Sequence, residues 1–295
     1  MKGHRQLELI IYRTGDLLAA CLAWFLFYLY RQGVEGKNAA FPEVLFEARL
    51  WQGLIIIPVF WLILYTVFDK HRDIYRFSRL DTLRSTLFTV FFGSLLIFFT
   101  VLKDDQALQF TSYFSLFAIL FLLQFVITSL VRMTILTIAS RRLKTGKVSY
   151  NTLIIGGDKN AVDLYEEVMA RPYSLGHNFV GFIDSNGKSK NHLESFLPKL
   201  GKLKDLHTVM ERSEIEEVII AVETSEHNKL KSILDDLFDF SDRVLIKVIP
   251  DTYDIMLGTV KMNHIYGAVL IEIDQELMPN WQKVIKRLMD YIISI

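Results

Sequence analysis

The sequence predicts a membrane all-α domain of four transmembrane helices, followed by an α/β domain built on a parallel sheet. Three observations predict it. The apolar share, 51% of 295 residues, is too high for a single water-soluble globule. The excess is concentrated in four charge-poor runs before residue 140. After residue 150, short apolar runs alternate with helical patterns of about 12 residues, the mark of a parallel sheet covered on both faces.

The four runs are 14–30, 50–68, 83–102 and 110–131. Each has about the length needed to cross a hydrocarbon core of about 30 Å. Backbone polar groups in lipid must be satisfied within the segment, so the runs read as helices. Charge then orients them. Lys2, Arg5 and Arg13 precede the first run, and Lys70, Arg72, Arg76, Arg79 and Arg84 lie around the second connection. Arg132, Arg141, Arg142, Lys144 and Lys147 cluster at the end of the fourth. The opposite loops hold only Arg31, Lys37, Arg49 and Lys103. The positive-inside rule therefore puts the N-terminus and everything after residue 140 in the cytoplasm.

The domain reading is a four-helix membrane domain over 1–140, a basic linker over 141–150, an α/β domain over 151–277, and an opening helix of a further domain over 278–295. Strands are expected at 152–155, 179–183, 217–222, 244–249 and 268–273, which makes the second domain Rossmann-like. Basic and acidic residues balance at 33 each, so no bulk attraction to nucleic acid is implied. The single cysteine, Cys21, lies in the first membrane run and reads as a packing residue. The histidines show no metal-ligand spacing, and no metal ligand is assigned.

Several local patterns, taken in order, resemble the N-terminal half of the bacterial polyprenyl-phosphate hexose-1-phosphate transferases. They are Arg13 with Asp16 in the first helix and Tyr75, Arg76, Phe77, Ser78 and Arg79 after the second. The α/β domain adds Thr152 to Gly157, Phe179 to Asp184, Leu200 to Leu203, Glu217 to Ala221, and Ile249 with Pro250 and Asp251. Trp281 and Lys286 to Asp290 complete the series. The resemblance implies a parent enzyme that moves a sugar 1-phosphate from a nucleotide-diphosphate sugar to undecaprenyl phosphate, initiating exopolysaccharide, capsule or O-antigen synthesis. It implies an Asp–Glu pair and Mg²⁺ in a catalytic domain beyond Ile295. No catalytic residue is therefore assigned here, and the chain alone is expected to be inactive. It also implies the bacterial inner membrane, a lipid bilayer around the helices and a homodimer through the α/β domain, which would be regulatory or oligomerising. Alternatives are the N-terminal part of a membrane-bound nucleotide-sugar dehydratase or epimerase, and a non-enzymatic scaffold or nucleotide sensor.

The candidate cofactor-binding residues are Gly156, Gly157 and Asp184. The two glycines end the first strand at the turn where a dinucleotide fold holds its phosphates, and Asp184 ends the second strand, where a ribose hydroxyl would lie. The complete Gly-x-Gly-x-x-Gly pattern is absent, and Asp158 also suits a helix N-cap, so a purely structural turn is the first reading and a nucleotide the second. Arg13 and Asp16, three apart, are expected to pair on one helix face. Residues 69–83 are amphipathic if helical and read as a topology determinant able to rest at the membrane surface. Gln124 and Thr128 are read as interhelical hydrogen-bonding groups.

Overall fold

The computed structural model describes residues 2–34, 44–68, 73–102, 110–185, 187, 192–222, 227–241, 243–249 and 270–273. Near the C-terminus it also describes 282, 286, 287, 289 and 290, which are helical. The rest of the expected opening helix, like Lys70, Arg72, Pro250 and Asp251, lies outside the described residues. Two compact units form: Met1–Ser140 with Met278–Ile295, and Arg141–Leu277.

The first unit contains α1 (Lys2–Val34), α2 (Ala48–Phe68), α3 (Arg79–Ile97) and α4 (Phe110–Lys144). Each carries a stretch long and apolar enough to cross a membrane: Gln6–Val34, Ala48–Phe68, Arg79–Thr100 and Tyr113–Lys144. α1 and α4 outrun their apolar runs because no Pro interrupts either helix and polar ends cost little outside hydrocarbon. α3 opens on Ser78, whose Oγ accepts from the Asp81 N–H at 3.5 Å, and Asp81 places a negative charge in the first turn. It closes in a wider π-type turn, Phe98–Leu102.

The connection before α3 is not one amphipathic helix. Its described part is a single 3₁₀ turn, Ile74–Arg76, opened by Asp73, which accepts from the Tyr75 N–H at 3.0 Å. Asp73 and Ser78 each offer the backbone a local alternative to helix, and the segment breaks between them. Its apolar side faces protein rather than lipid: Ile74 is buried, and the Phe77 ring meets Tyr12 edge-on at 5.4 Å.

Close approach of α2 and α3 depends on a small residue. A Cβ on Gly93 of α3 would stand 2.4 Å from the Trp61 ring of α2, so only glycine admits that ring. Trp61 in turn stacks on Tyr65 at 5.7 Å.

Tyr65 leads to the polar centre of the bundle. Arg132 of α4, 1% exposed, donates from Nε and a terminal nitrogen to the two oxygens of Asp16 on α1, both at 2.8 Å. Its other terminal nitrogen donates to Thr86 Oγ1 on α3 at 3.0 Å. The guanidinium lies 4.2 Å from the Tyr65 ring centre on α2 and 5.2 Å from that of Tyr12. Gln124, one turn before Thr128, donates to the Tyr65 hydroxyl at 3.1 Å and to Thr128 at 3.1 Å. All four helices therefore converge on one cation. This corrects the local pairing expected for Asp16: Arg13 is exposed, and Asp16 takes a buried bidentate partner 116 residues away. It also moves Arg132 from the loop charges into the helix core. Glu47 makes a second polar contact, accepting from Tyr28 and from Gln32.

The second unit is a six-stranded sheet in the order β3-β2-β1-β4-β5-β6. The strands are β1 (Tyr150–Ile155), β2 (His177–Asp184), β3 (Lys199–Lys202), β4 (Glu217–Ile220), β5 (Leu245–Val248) and β6 (Ile271–Glu272). The helices are α5 (Lys159–Met169), α6 (Leu206–Arg212) and α7 (His227–Phe238). Strand alternation divides the core between the faces. Leu153, Ile155, Val218 and Ile220 pack with Met210, Ile233 and Leu237 on one side. Ile154, Phe182 and Ile219 pack with Ala161, Leu164 and Val168 on the other.

The sheet is mixed. β1 to β5 are parallel, but β6 runs antiparallel to β5. β3 was not among the expected strands. It has four residues, only Leu200 is apolar, and it pairs with β2 alone among the described residues, so its periodic signal is weak.

Candidate functional site

β1 and β2 are parallel neighbours with Ile155 opposite Ile183, so Gly156, Gly157 and Asp184 come together at one sheet end. The Gly156 N–H donates to the Ile183 carbonyl at 2.9 Å, and the Gly157 carbonyl accepts from the Leu193 N–H at 3.4 Å. Gly156 has φ +133, and a Cβ there would stand 2.4 Å from the Ala221 carbonyl oxygen. Both facts demand glycine for the β1–β4 approach itself, with or without a ligand. Asp158 occupies the N-cap position of α5, and its carbonyl accepts from the Ala161 and Val162 N–H groups. The amide end of an eleven-residue helix thus faces this turn, an arrangement that favours an anion.

Asp184 is 1% exposed. Its Oδ1 accepts from the Gly187 N–H at 3.0 Å, and its Oδ2 accepts from Lys199 Nζ at 2.7 Å. Lys199 also stands 3.9 Å from Glu194. The carboxylate therefore ties β2 to β3 and to its own loop, with Lys199 as its partly exposed partner. Sequence reasoning missed Lys199, because its partnership depends on the β2–β3 register.

A second polar group lies at the opposite strand ends. Glu217, 2% exposed at the start of β4, is 2.6 Å from Lys247 Nζ on β5 and 3.3 Å from His177 Nδ1 on β2. Thr152 Oγ1 is 3.4 Å from the same His177 nitrogen, and the Phe179 ring lies 5.7 Å from the imidazole. Burial pushes the His177 pKa below its ordinary value; Glu217 opposes the shift and Lys247 adds to it. An unfolded chain takes up this proton below about pH 6.5, while the folded domain resists it. Stability is complete above that range and declines as pH falls through it. Scanning calorimetry of the full chain is expected to show the sheet unit melting earlier at about pH 5.5 than at about pH 7. His177→Gln should flatten that slope, and an unchanged slope in the variant would refute the assignment.

The sequence model of the CoA-binding domain family matches residues 70–250, from before α3 through β5. The chain belongs to the CoA-binding domain family. In this member the match takes in two membrane-type helices as well as the sheet. The chain is also similar to a Haemophilus influenzae protein described as an uncharacterized sugar transferase, with 25% identity over 154 residues. That alignment covers 52% of this chain and 32% of the relative, so the chain spans about a third of the relative's length. The likeness and the architecture agree with the resemblance to polyprenyl-phosphate sugar phosphotransferases drawn from the sequence.

Proposed function

We propose that this chain is the membrane-anchoring and regulatory or oligomerising portion of a phosphoglycosyl transferase. The parent enzyme would move a sugar 1-phosphate from a nucleotide-diphosphate sugar to undecaprenyl phosphate in the bacterial inner membrane, initiating exopolysaccharide, capsule or O-antigen synthesis. The N-terminus and the sheet domain would face the cytoplasm, and the sheet domain would pair two copies. One observation carries the reading: four membrane-type helices, two of them within the CoA-binding family match, precede the sheet in a chain similar to a sugar transferase. In this reading the Asp–Glu pair and Mg²⁺ of the transfer step belong to a part of the parent outside residues 1–295.

The turn at Gly156 and Gly157 is the place for a nucleotide or coenzyme A phosphate, held by the α5 amide end with Lys199 alongside. Asp184 supports that reading by orienting Lys199. Calorimetry of the detergent-solubilised chain against NAD, UDP-sugars and coenzyme A tests the ligand role, and silence for all of them would remove it. The transfer reading is tested separately, with radiolabelled nucleotide-diphosphate sugar and undecaprenyl phosphate. The purified 295-residue chain is expected to transfer nothing, and sustained turnover would overturn the assignment of chemistry elsewhere.

A further inference from the structure

The last turns of α4 carry Arg141, Arg142 and Lys144, and Lys147 follows within the tight turn at Gly146. Their depth follows from length. The Tyr113–Lys144 span has 32 residues. At about 1.5 Å per residue it is roughly 48 Å long, against a hydrocarbon core of about 30 Å and a whole bilayer of about 40–45 Å. With Tyr113 at the outer edge of one headgroup layer, the helix leaves hydrocarbon near Thr137 and carries Arg141, about 42 Å along, to the far headgroup layer. All four basic residues are exposed there.

The turn is held in place. The Gly146 N–H donates to the Leu143 carbonyl at 3.0 Å, and the Lys147 N–H donates to the Arg142 carbonyl at 3.1 Å. The Ser174 N–H donates to the Lys144 carbonyl at 3.0 Å. The Leu143 side chain lies against Gly176, whose carbonyl accepts from the Tyr150 N–H at 2.7 Å. Lys144 Nζ sits 5.4 Å above the Tyr173 ring. A linker of the same composition would spread these charges over many positions. Here backbone contacts to residues 174–176 fix them as one array, so less ordering entropy opposes binding. Guanidinium and ammonium groups at this depth meet phosphodiesters, and arginine matches phosphate oxygens in pairs.

We propose that Arg141, Arg142, Lys144 and Lys147 form a binding surface for anionic phospholipid headgroups at the end of the α4 span. The surface concentrates such lipids around α4 and sets the depth at which the helix leaves the bilayer. This goes beyond the transferase reading and does not depend on it.

The test uses the full chain in nanodiscs of phosphatidylcholine mixed with phosphatidylglycerol, followed by native mass spectrometry of the lipids it retains. Wild type is expected to retain phosphatidylglycerol above its share in the disc. The variant carrying Arg141→Gln, Arg142→Gln, Lys144→Gln and Lys147→Gln is expected to lose that enrichment by about five-fold or more. Lys204→Gln with Lys231→Gln, exposed positions elsewhere on the sheet unit, should behave as wild type. Wild type without enrichment, or a quadruple variant that keeps it, would overturn the proposal. Displacement of the lipid by inorganic phosphate at equal ionic strength would overturn it too, by revealing a plain anion site. Should the quadruple variant fail to insert, a salt titration of wild type decides: enrichment must fall as ionic strength rises, and enrichment indifferent to salt refutes the electrostatic surface.

Discussion

Arg132→Leu is expected to abolish the folded four-helix unit, and Asp16→Leu should do nearly as much damage. Each change leaves one charge buried without its bidentate partner, in a place 1–2% exposed. Breaking a buried pair in this way costs about 3–5 kcal/mol. Arg132→Leu also removes the donor to Thr86 and the cation facing Tyr65 and Tyr12, so the contacts of α4 to the other three helices weaken together. The double variant, Asp16→Leu with Arg132→Leu, is expected to be milder than either single change, because no unpaired charge remains. Thermal unfolding followed by fluorescence-detected gel filtration in detergent reads all three. Additive losses in the double variant would show that the two residues act independently, against the hydrogen-bonded geometry.

Gly156→Ala is the second large effect, and it falls on the sheet unit. The new Cβ would stand 2.4 Å from the Ala221 carbonyl oxygen, and φ +133 is a conformation that L residues rarely adopt. Backbone strain of this kind costs about 1–3 kcal/mol, and separating β1 from β4 adds to it. Far-ultraviolet melting should show the sheet unit destabilised while the helical unit melts as before. Because the clash is with Ala221 and not with a ligand, the loss should appear equally with and without NAD or coenzyme A. A variant that folds normally but no longer binds a nucleotide would show that the ligand, and not the β1–β4 approach, is what requires glycine at 156.

The helices and most strands were legible for a simple physical reason. A run such as 50–68, with no charge, has few places to go except lipid. Runs such as Leu153 to Ile155 and Val218 to Ile220 need burial on both faces of a sheet. Strand direction leaves no trace in such runs, so β6 could not be read as antiparallel. Partners distant in sequence were also hidden. The local rule for charges three apart nominated Arg13 for Asp16, while the true partner lay in the fourth helix. A signal did exist: Gln124, Thr128 and Arg132 recur every fourth residue, a polar stripe on one face of an otherwise apolar helix. At the candidate ligand site, the glycine turn and Asp184 were visible as a pattern. The role of Lys199 and the Glu217–His177–Lys247 group were not, because each depends on which strands lie side by side.

The distance in sequence between Asp16 and Arg132 has a consequence in time. Chains grow at about 5–20 residues per second, so the 116 residues between the two take roughly 6–23 s to appear. Through that interval Asp16 has been made and its cation has not. The first helix must therefore wait in or beside the bilayer, unfinished, until the fourth arrives. Closure of these four helices is thus timed by synthesis of α4, and a chain halted before Arg132 cannot assemble the centre that holds the other three together.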